Sequence, residues 1–473
     1  MDNTQRLGEE KISKLLLSFS VPAIVGMIVS ALYNVIDRIF IGNSAGSLGI
    51  AGISIGFPIM MVQSALGMMV GIGATALMSI KLGEQKKEEA EKIVGNAITL
   101  LLIVSITMTL LVFFLDPLLR IFGASDEVMP YARDYMRVIM LGSIFGAFSM
   151  GMNNFIRAEG KPRLAMATQI LGTVLNAALA PLFIFAFQWG MTGAGLATVV
   201  SQAVSAIWVV LYFTTGRSTL KIHTQTFKLD KAVVIGILTL GLSSFFQQLA
   251  QSLLNAIMNK NLVAYGGDIA VSGVGVVMSL VTLIMMPIIG LSIGAQPIIG
   301  FNYGARKFDR SRKTLIYAVV AATVISTVGF VLIRMFPTQL ISIFNSHDAE
   351  LIKSGTRSLM FFTFFLPLIG FQMVGAGYFQ AVGKPKQSLI LSLSRQVIIL
   401  IPALLILPLF FGLDGVLAAT PLSDVLATIV TGIWLFFELR SESRISAQDQ
   451  QRIENEGKAM DVAALQKEIL TEE

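Results

Sequence analysis

The chain has 473 residues, of which 54% are hydrophobic and 14% charged, where soluble domains carry about 25% charge. Its 35 Lys+Arg and 29 Asp+Glu cannot cover the two or three soluble domains that this length would otherwise form, which disfavours a soluble enzyme, a nucleic-acid binder and a disordered chain together. The absence of cysteine excludes disulfides, thiolate metal sites and a cysteine nucleophile.

Residues 1–14 are polar and show no charged n-region leading to a cleavage site, so the first apolar helix is expected to stay in the mature protein. A helix needs about 20 apolar residues to cross the hydrocarbon core. Cutting the chain at charged and turn-rich segments leaves twelve such runs: 15–42, 50–80, 93–115, 131–156, 164–187, 192–214, 233–262, 269–301, 314–336, 356–380, 387–411 and 414–438. Pro22 and Pro287 fall inside the first and eighth runs, where a proline removes a hydrogen bond and bends a helix.

The positive net charge of +6 collects in alternate connections. Basic residues stand before the first run (Arg6, Lys11, Lys14), after the second (Lys81, Lys86, Lys87, Lys92) and after the fourth (Arg157, Lys161, Arg163). They recur after the sixth run, after the eighth (Arg306, Lys307, Arg310, Arg312, Lys313) and after the tenth (Lys384, Lys386). This bias predicts a multi-pass protein of the cytoplasmic (inner) membrane with both termini in the cytoplasm. Residues 441–473 turn polar and read as a cytoplasmic tail, helical in part.

The sequence repeats itself. GIGATALMSIKLGEQKK at 71–87 aligns with SIGAQPIIGFNYGARKF at 292–308, GKP at 160–162 with GKP at 383–385, and GMTGAGLATVVSQ at 190–202 with GLDGVLAATPLSD at 412–424. An offset spanning an even number of helices makes the halves parallel repeats about an axis along the membrane normal. The expected organisation is an N-terminal segment (1–14), an N-lobe (15–214), a cytoplasmic linker (215–232), a C-lobe (233–440) and the tail (441–473). Gene duplication alone accounts for repetition, but parallel repeats in a twelve-helix protein favour a transporter working by alternating access.

Ionisable groups within apolar helices are costly and mark function. In the first run Ser30, Asn34 and Asp37 share one face at spacings of four and three, with Arg38 about 100° away. A carboxylate withdrawn from water there can take up and release a proton near neutral pH, or it can be a structural hydrogen-bonding group. The seventh run carries Gln247, Gln251, Asn255 and Asn259 at spacing four, either as helix–helix glue or as a cavity lining. Arg395 with Gln396, and Asp424, which aligns with Gln202, form a second candidate network or simply neutralise each other. His223 and His347 lie far apart in loops, so no metal site is expected, and no catalytic residue or cofactor either.

ALYNVIDRIFIGN, IRAEGKPRLAM, VLNAALAPLFIF, GAGLATVVSQ, GAQPIIGFNYGAR and FQAVGKPKQSLILSLSRQ, in that order within a duplicated frame, resemble the multidrug and toxic compound extrusion (MATE) family and its MepA/DinF-like bacterial branch. The resemblance covers residues 12–440. It implies an all-α fold of twelve transmembrane helices in two pseudo-symmetric six-helix bundles set in a V. It also implies a monomeric secondary antiporter, with no nucleic-acid partner, that exports cationic amphipathic compounds in exchange for protons or sodium. The residues it implies for the coupling ion are Asp37, Tyr33, Asn176 and Thr198, with Pro22 as the kink proline. Asn153 joins Asn34, Gln202, Gln251 and Asn255 as the expected cavity lining. Two departures stand out: Ala180-Pro181 replaces the family's Asp-Pro on the fifth helix, and Gln251 stands where the sodium-coupled branch has a Glu. Sodium prefers several oxygen ligands, charged ones among them, so the losses favour proton coupling. A lipid-linked precursor flippase is the alternative, but Arg38 and Arg395 are its only candidates for holding a pyrophosphate.

Overall fold

A computed structural model describes residues 3–216, 218–344 and 348–472; the side chains of 3–5, 33–36, 38, 39, 42, 43, 47, 268, 446, 447 and 449–472 lie outside the description. The expected Tyr33 and Asn34, together with Arg38 and His347, therefore fall outside the described side chains.

Among the described residues the chain is helical throughout and holds no strand. Among the described residues nine helices are long and apolar enough to cross a membrane, and two bent pairs bring the number to eleven. The last of them, Pro385–Ile445, is 61 residues long, and Gly412 divides it at φ 55°, ψ −133°, which gives the twelve expected spans. We number them α1 and α2 (Ile12–Gly83, broken at Gly46), α3 (Lys87–Ile121), α4 (Met129–Leu141 with Ser143–Ala158), α5 (Pro162–Ala186) and α6 (Gly190–Thr214). The second six are α7 and α8 (Lys231–Gly304, broken at Gly267), α9 (Phe308–Met335), α10 (Ala349–Phe362 with Leu366–Ala381), and α11 and α12 (the two parts of Pro385–Ile445).

Glycines, not the two expected prolines, break the longest helices. Pro22 and Pro287 sit inside continuous helix, whereas Gly46 (φ 61°) and Gly267 (φ 64°) reverse the chain with no intervening loop. A Cβ would meet the preceding backbone in that left-handed region, so glycine alone turns there without strain. The sharp bends lie between the two parts of α4 (55°) and of α10 (50°). Positive φ recurs in matched pairs, at Gly46 and Gly267, Gln85 and Arg306, Gly160 and Gly383, and Gly190 and Gly412, at the offsets of the sequence repeat.

Three apolar cores set the shape. One draws on both halves, with Leu15, Val70 and Met78 packed among Ile237, Leu291 and Phe379. A second contains only the later half (Leu254, Val277, Leu404) and a third only the earlier half (Ile41, Met136, Ala197). The lobes thus share a core toward the end that carries the basic connections and have separate cores at the other end. At the shared end the backbones nearly touch: a Cβ on Gly83 would lie 2.0 Å from the Phe301 carbonyl oxygen, and one on Gly304 2.1 Å from that of Ile80. Gly73 meets Ile237 and Gly294 meets Ser20 in the same manner. Lipid tails give helices no hydrophobic reason to associate, so small residues that admit close backbone approach take over that task.

Two straps cross at this end. The helix Asn3–Glu9 precedes the N-lobe yet docks on the C-lobe: Asn302 Nδ2 donates to the Leu7 carbonyl (2.9 Å), Arg310 to that of Glu10 (2.7 Å) and Lys307 to that of Gly8 (3.1 Å). The linker that leads into the C-lobe is held by the N-lobe. Asn96 donates to the carbonyls of Thr226 and Lys228 (both 3.1 Å) and accepts from Asp230 N (2.7 Å). The tail continues the α12 helix to Glu472.

Candidate functional site

In the N-lobe, Gln169 of α5 donates to Ser30 of α1 at 2.7 Å, and Gly26 lets the two helices close at this point. Both helices start at the basic end and run the same way. Asp37 lies seven residues beyond Ser30, and Asn176 seven beyond Gln169, about two turns along each helix. The expected coupling residues Asp37 and Asn176 therefore stand at one level. Asp37 is 8% exposed. Asn176 Nδ2 donates to Thr198 Oγ1 of α6 at 3.1 Å, and Thr198 in turn reaches the Ala194 carbonyl at 3.2 Å. The buried Oδ1 atoms of Asn176 and of Asn153 on α4 receive no hydrogen bond from the described residues. Each has acceptor capacity left, which is costly in a dry site and available to a donor that enters. Gln202 is half-buried against Gly146, where a Cβ would meet its Oε1 at 2.8 Å. Pro22 is buried about two turns below Ser30 on α1, toward the shared core.

In the C-lobe, Gln396 Nε2 donates to Gln251 Oε1 (3.0 Å), and Gln251 Nε2 to Asn255 Oδ1 (3.1 Å). Gln251 is half-buried, while Gln247, Asn255 and Asn259 are exposed. Residues 394–400 of α11 are wound as a π-helix, a local widening of the helix frequent at functional positions, and it carries both Arg395 and Gln396. Arg395 Nε meets Asp424 Oδ1 at 2.7 Å, with the Asp424 side chain fully buried. Of the two expectations for this pair, mutual neutralisation accounts for the ion pair, and the amide chain Gln396–Gln251–Asn255 runs beside it.

Sequence reasoning missed several buried polar groups. Arg157, which we expected in a basic loop, is part of the helix Ser143–Ala158, is 7% exposed, and donates to Asn154 Oδ1 at 3.0 Å. Glu159, two residues on, is completely buried and accepts from the Tyr212 hydroxyl, the Ser218 hydroxyl and Leu220 N. Burial pushes its carboxyl above the usual range. In the C-lobe the Tyr378 hydroxyl donates to Glu442, and Lys384 pairs with Glu438. The GKP repeat was the available signal. It places a glutamate of α4's end against a tyrosine of α6, and a tyrosine of α10 against a glutamate of α12, the same clamp with its partners exchanged.

Two repeated six-helix bundles that meet at one end and part at the other, with amides and a carboxylate buried at one level of the N-lobe, define a membrane transporter of the two-lobed class. The sequence model of the MatE family matches residues 22–182 and 243–405, one stretch in each lobe, and the chain belongs to that family. It is 26% identical over 434 residues to the multidrug export protein MepA of Staphylococcus haemolyticus, covering 92% of this chain and 95% of that one. Among solved structures it is similar to the MATE multidrug transporter DinF-BH in complex with R6G (42% identity, TM-score 0.85, covering 92% of this chain and 98% of that one). It is also similar to an outward-facing multidrug resistance MATE transporter of the MOP superfamily (27% identity, TM-score 0.88, 94% and 99%). The resemblance read from the six motifs and the all-α two-bundle fold it implied are both borne out.

Proposed function

We propose that this MatE protein is a multidrug efflux antiporter that exports cationic amphipathic compounds in exchange for protons, carrying its substrate without converting it. It sits in the cytoplasmic membrane as a monomer with its basic end and both termini inside. The names of its relatives support multidrug export, and the basic connections support the orientation. With that end inside, the cleft between the separate cores opens outward.

One observation carries the choice of proton. Asp37 is buried level with a neutral amide–hydroxyl pair, while α5 offers Ala180 and α7 offers Gln251 where further carboxylates would complete a sodium site. A proton needs one titrating group, whereas a hard cation needs several oxygens. In this reading Asp37 takes a proton from outside and ceases to hold a cationic substrate electrostatically. The hydrogen bonds of Asn176 and Thr198 rearrange, the lobes rock about their shared core, and Asp37 releases the proton inside. Exchange is coupled because proton and substrate favour different states.

The test is efflux of a fluorescent cation from proteoliposomes with proton and sodium gradients imposed separately, for wild type and Asp37→Asn. Proton-driven efflux that the variant loses is the expected result. Sodium-driven efflux overturns the coupling assignment, and no gradient-driven efflux of any cation overturns the antiporter reading.

A further inference from the structure

Far from the cleft, Arg334 lies near the end of α9 that is remote from the basic connections. The run from Thr314 to Ile333 separates it from Arg312 and Lys313, and twenty helical residues span about 30 Å. That is the thickness of the hydrocarbon core, so Arg334 stands at the headgroup level of the far leaflet. Its neighbours Val331, Leu332, Met335 and Phe336 are large, apolar and exposed, which marks this surface as facing lipid.

The other paired arginines at this end have acids. Arg133 meets Asp116 at 2.6 Å, Arg357 meets Asp414 at 2.7 Å and Arg120 meets Asp126 at 3.0 Å. Arg334 has no carboxylate within ion-pair distance among the described residues. Its Nη2 donates to the Met360 carbonyl (2.9 Å) and its Nη1 to the Met360 sulfur (3.0 Å). The guanidinium lies over the rings of Phe330 (5.0 Å) and Phe364 (5.4 Å). The rings hold the cation in place without neutralising it, and part of its donor fork remains open.

Directly beside it is a groove of about 440 Å³ lined by Arg334, Met360, Phe361, Phe364, Ala418 and Pro421. Apart from the arginine every lining side chain is apolar. Phe361 and Phe364 are exposed, so the groove opens on the lipid-facing surface where α10 bends. A lone cation at phosphate depth above an apolar channel has the polarity of a lipid, one charged end and one oily end.

We propose that this groove is a binding site for a glycerophospholipid of the far leaflet, with its phosphate on Arg334 and one acyl chain between α10 and α12. Anionic headgroups are favoured over zwitterionic ones, because the described lining has a fixed cation and no acid, and the acid one turn above it, Asp414, is taken by Arg357. The acyl channel distinguishes a lipid from free phosphate, which would gain only the single arginine.

Native mass spectrometry of the purified full chain, titrated with phosphatidylglycerol, phosphatidylcholine or inorganic phosphate, tests this. Wild type should retain one phosphatidylglycerol in preference to phosphatidylcholine, and inorganic phosphate should not displace it. Arg334→Gln should weaken retention roughly tenfold, the scale of a lost charge-assisted contact. Ala418→Trp, which fills the groove and leaves the arginine in place, should weaken it similarly. Both variants are compared as monodisperse protein with unaltered cation efflux. Equal retention by Arg334→Gln, equal retention by Ala418→Trp, or displacement by inorganic phosphate would each overturn the proposal.

Discussion

Where α1 of the N-lobe carries Asp37, the repeat places Met258 on α7, buried in the C-lobe's own apolar core. Where α5 carries Asn176, α11 carries Ile399, and Thr198 of α6 matches Thr420 of α12. The acid of the C-lobe is instead Asp424, matched to Gln202 and held by Arg395. Duplication supplied two equal frames, and the charges were then divided between them. At the level of Asp37 the N-lobe sets the Asn176–Thr198 hydrogen bond, while the C-lobe closes Asp424 in an ion pair with Arg395. Under the proposed exchange the N-lobe carries the titrating group, and the acid of the C-lobe serves its stability.

The sharpest way to break this contrast is Asp37→Asn, which should reduce gradient-driven efflux to background in proteoliposomes while leaving the melting temperature nearly unchanged. The matching substitution in the C-lobe should act on stability. Asp424→Ala leaves Arg395 without its acid and should cost about 3–5 kcal/mol in a denaturation series. The double variant Asp424→Leu with Arg395→Met should recover most of that loss, since an apolar pair removes both buried charges together. If Asp424→Ala were stable and inactive instead, the division of roles between lobes would be reversed.

A smaller effect belongs to Asn176→Ala. It removes the bond to Thr198, about 1 kcal/mol, and should slow proton-driven efflux by roughly fivefold without changing the coupling ion. The smallest concerns Glu159. Its carboxyl is raised by burial, so the folded state holds the proton more tightly than the unfolded chain. Its contribution to stability is therefore full below the ordinary carboxylate range and declines as pH rises through the folded value. Glu159→Gln should flatten the dependence of melting temperature on pH from the acid side toward neutrality, and an unchanged slope would show that this group does not cause it.

Much of the architecture was legible because it is written in long-range pattern. Hydropathy marks the helices, and the shared offsets of GKP, GMTG and GAQP mark the duplication. The same offsets reappear in the backbone as paired residues at positive φ. The breaks were harder to read. Prolines announced bends at 22 and 287, yet the large ones fall at Gly142 and at residues 363–365, where Val199 crowds Gly142 and tertiary packing decides. At the site, Asp37 and the Asn176–Thr198 pair came from residue type and family likeness. Gln169, which fixes the level of α5 against α1, has no signature, being one amide on a helix of mixed polarity. Arg157 was misread, and Glu159 passed over, for a related reason. Charged residues near a helix end look like loop charge, and only the folded chain shows Arg157 buried within the helix and Glu159 covered by α6 and the linker.

The crossed straps bear on how the protein is made. Asn3–Glu9 leaves the ribosome before the N-lobe it precedes, but Asn302, Lys307 and Arg310, which hold the carbonyls of Leu7, Gly8 and Glu10, are synthesised about three hundred residues later. The linker, by contrast, finds its partners on α3 and at the end of α4 already made. The N-lobe can therefore assemble as the chain emerges, in the usual order of domain folding, while its leading segment remains undocked until α9 begins. Docking of that segment closes the chain on itself, and a nascent protein that stalls before residue 302 presents an undocked strap where the finished one presents a latch.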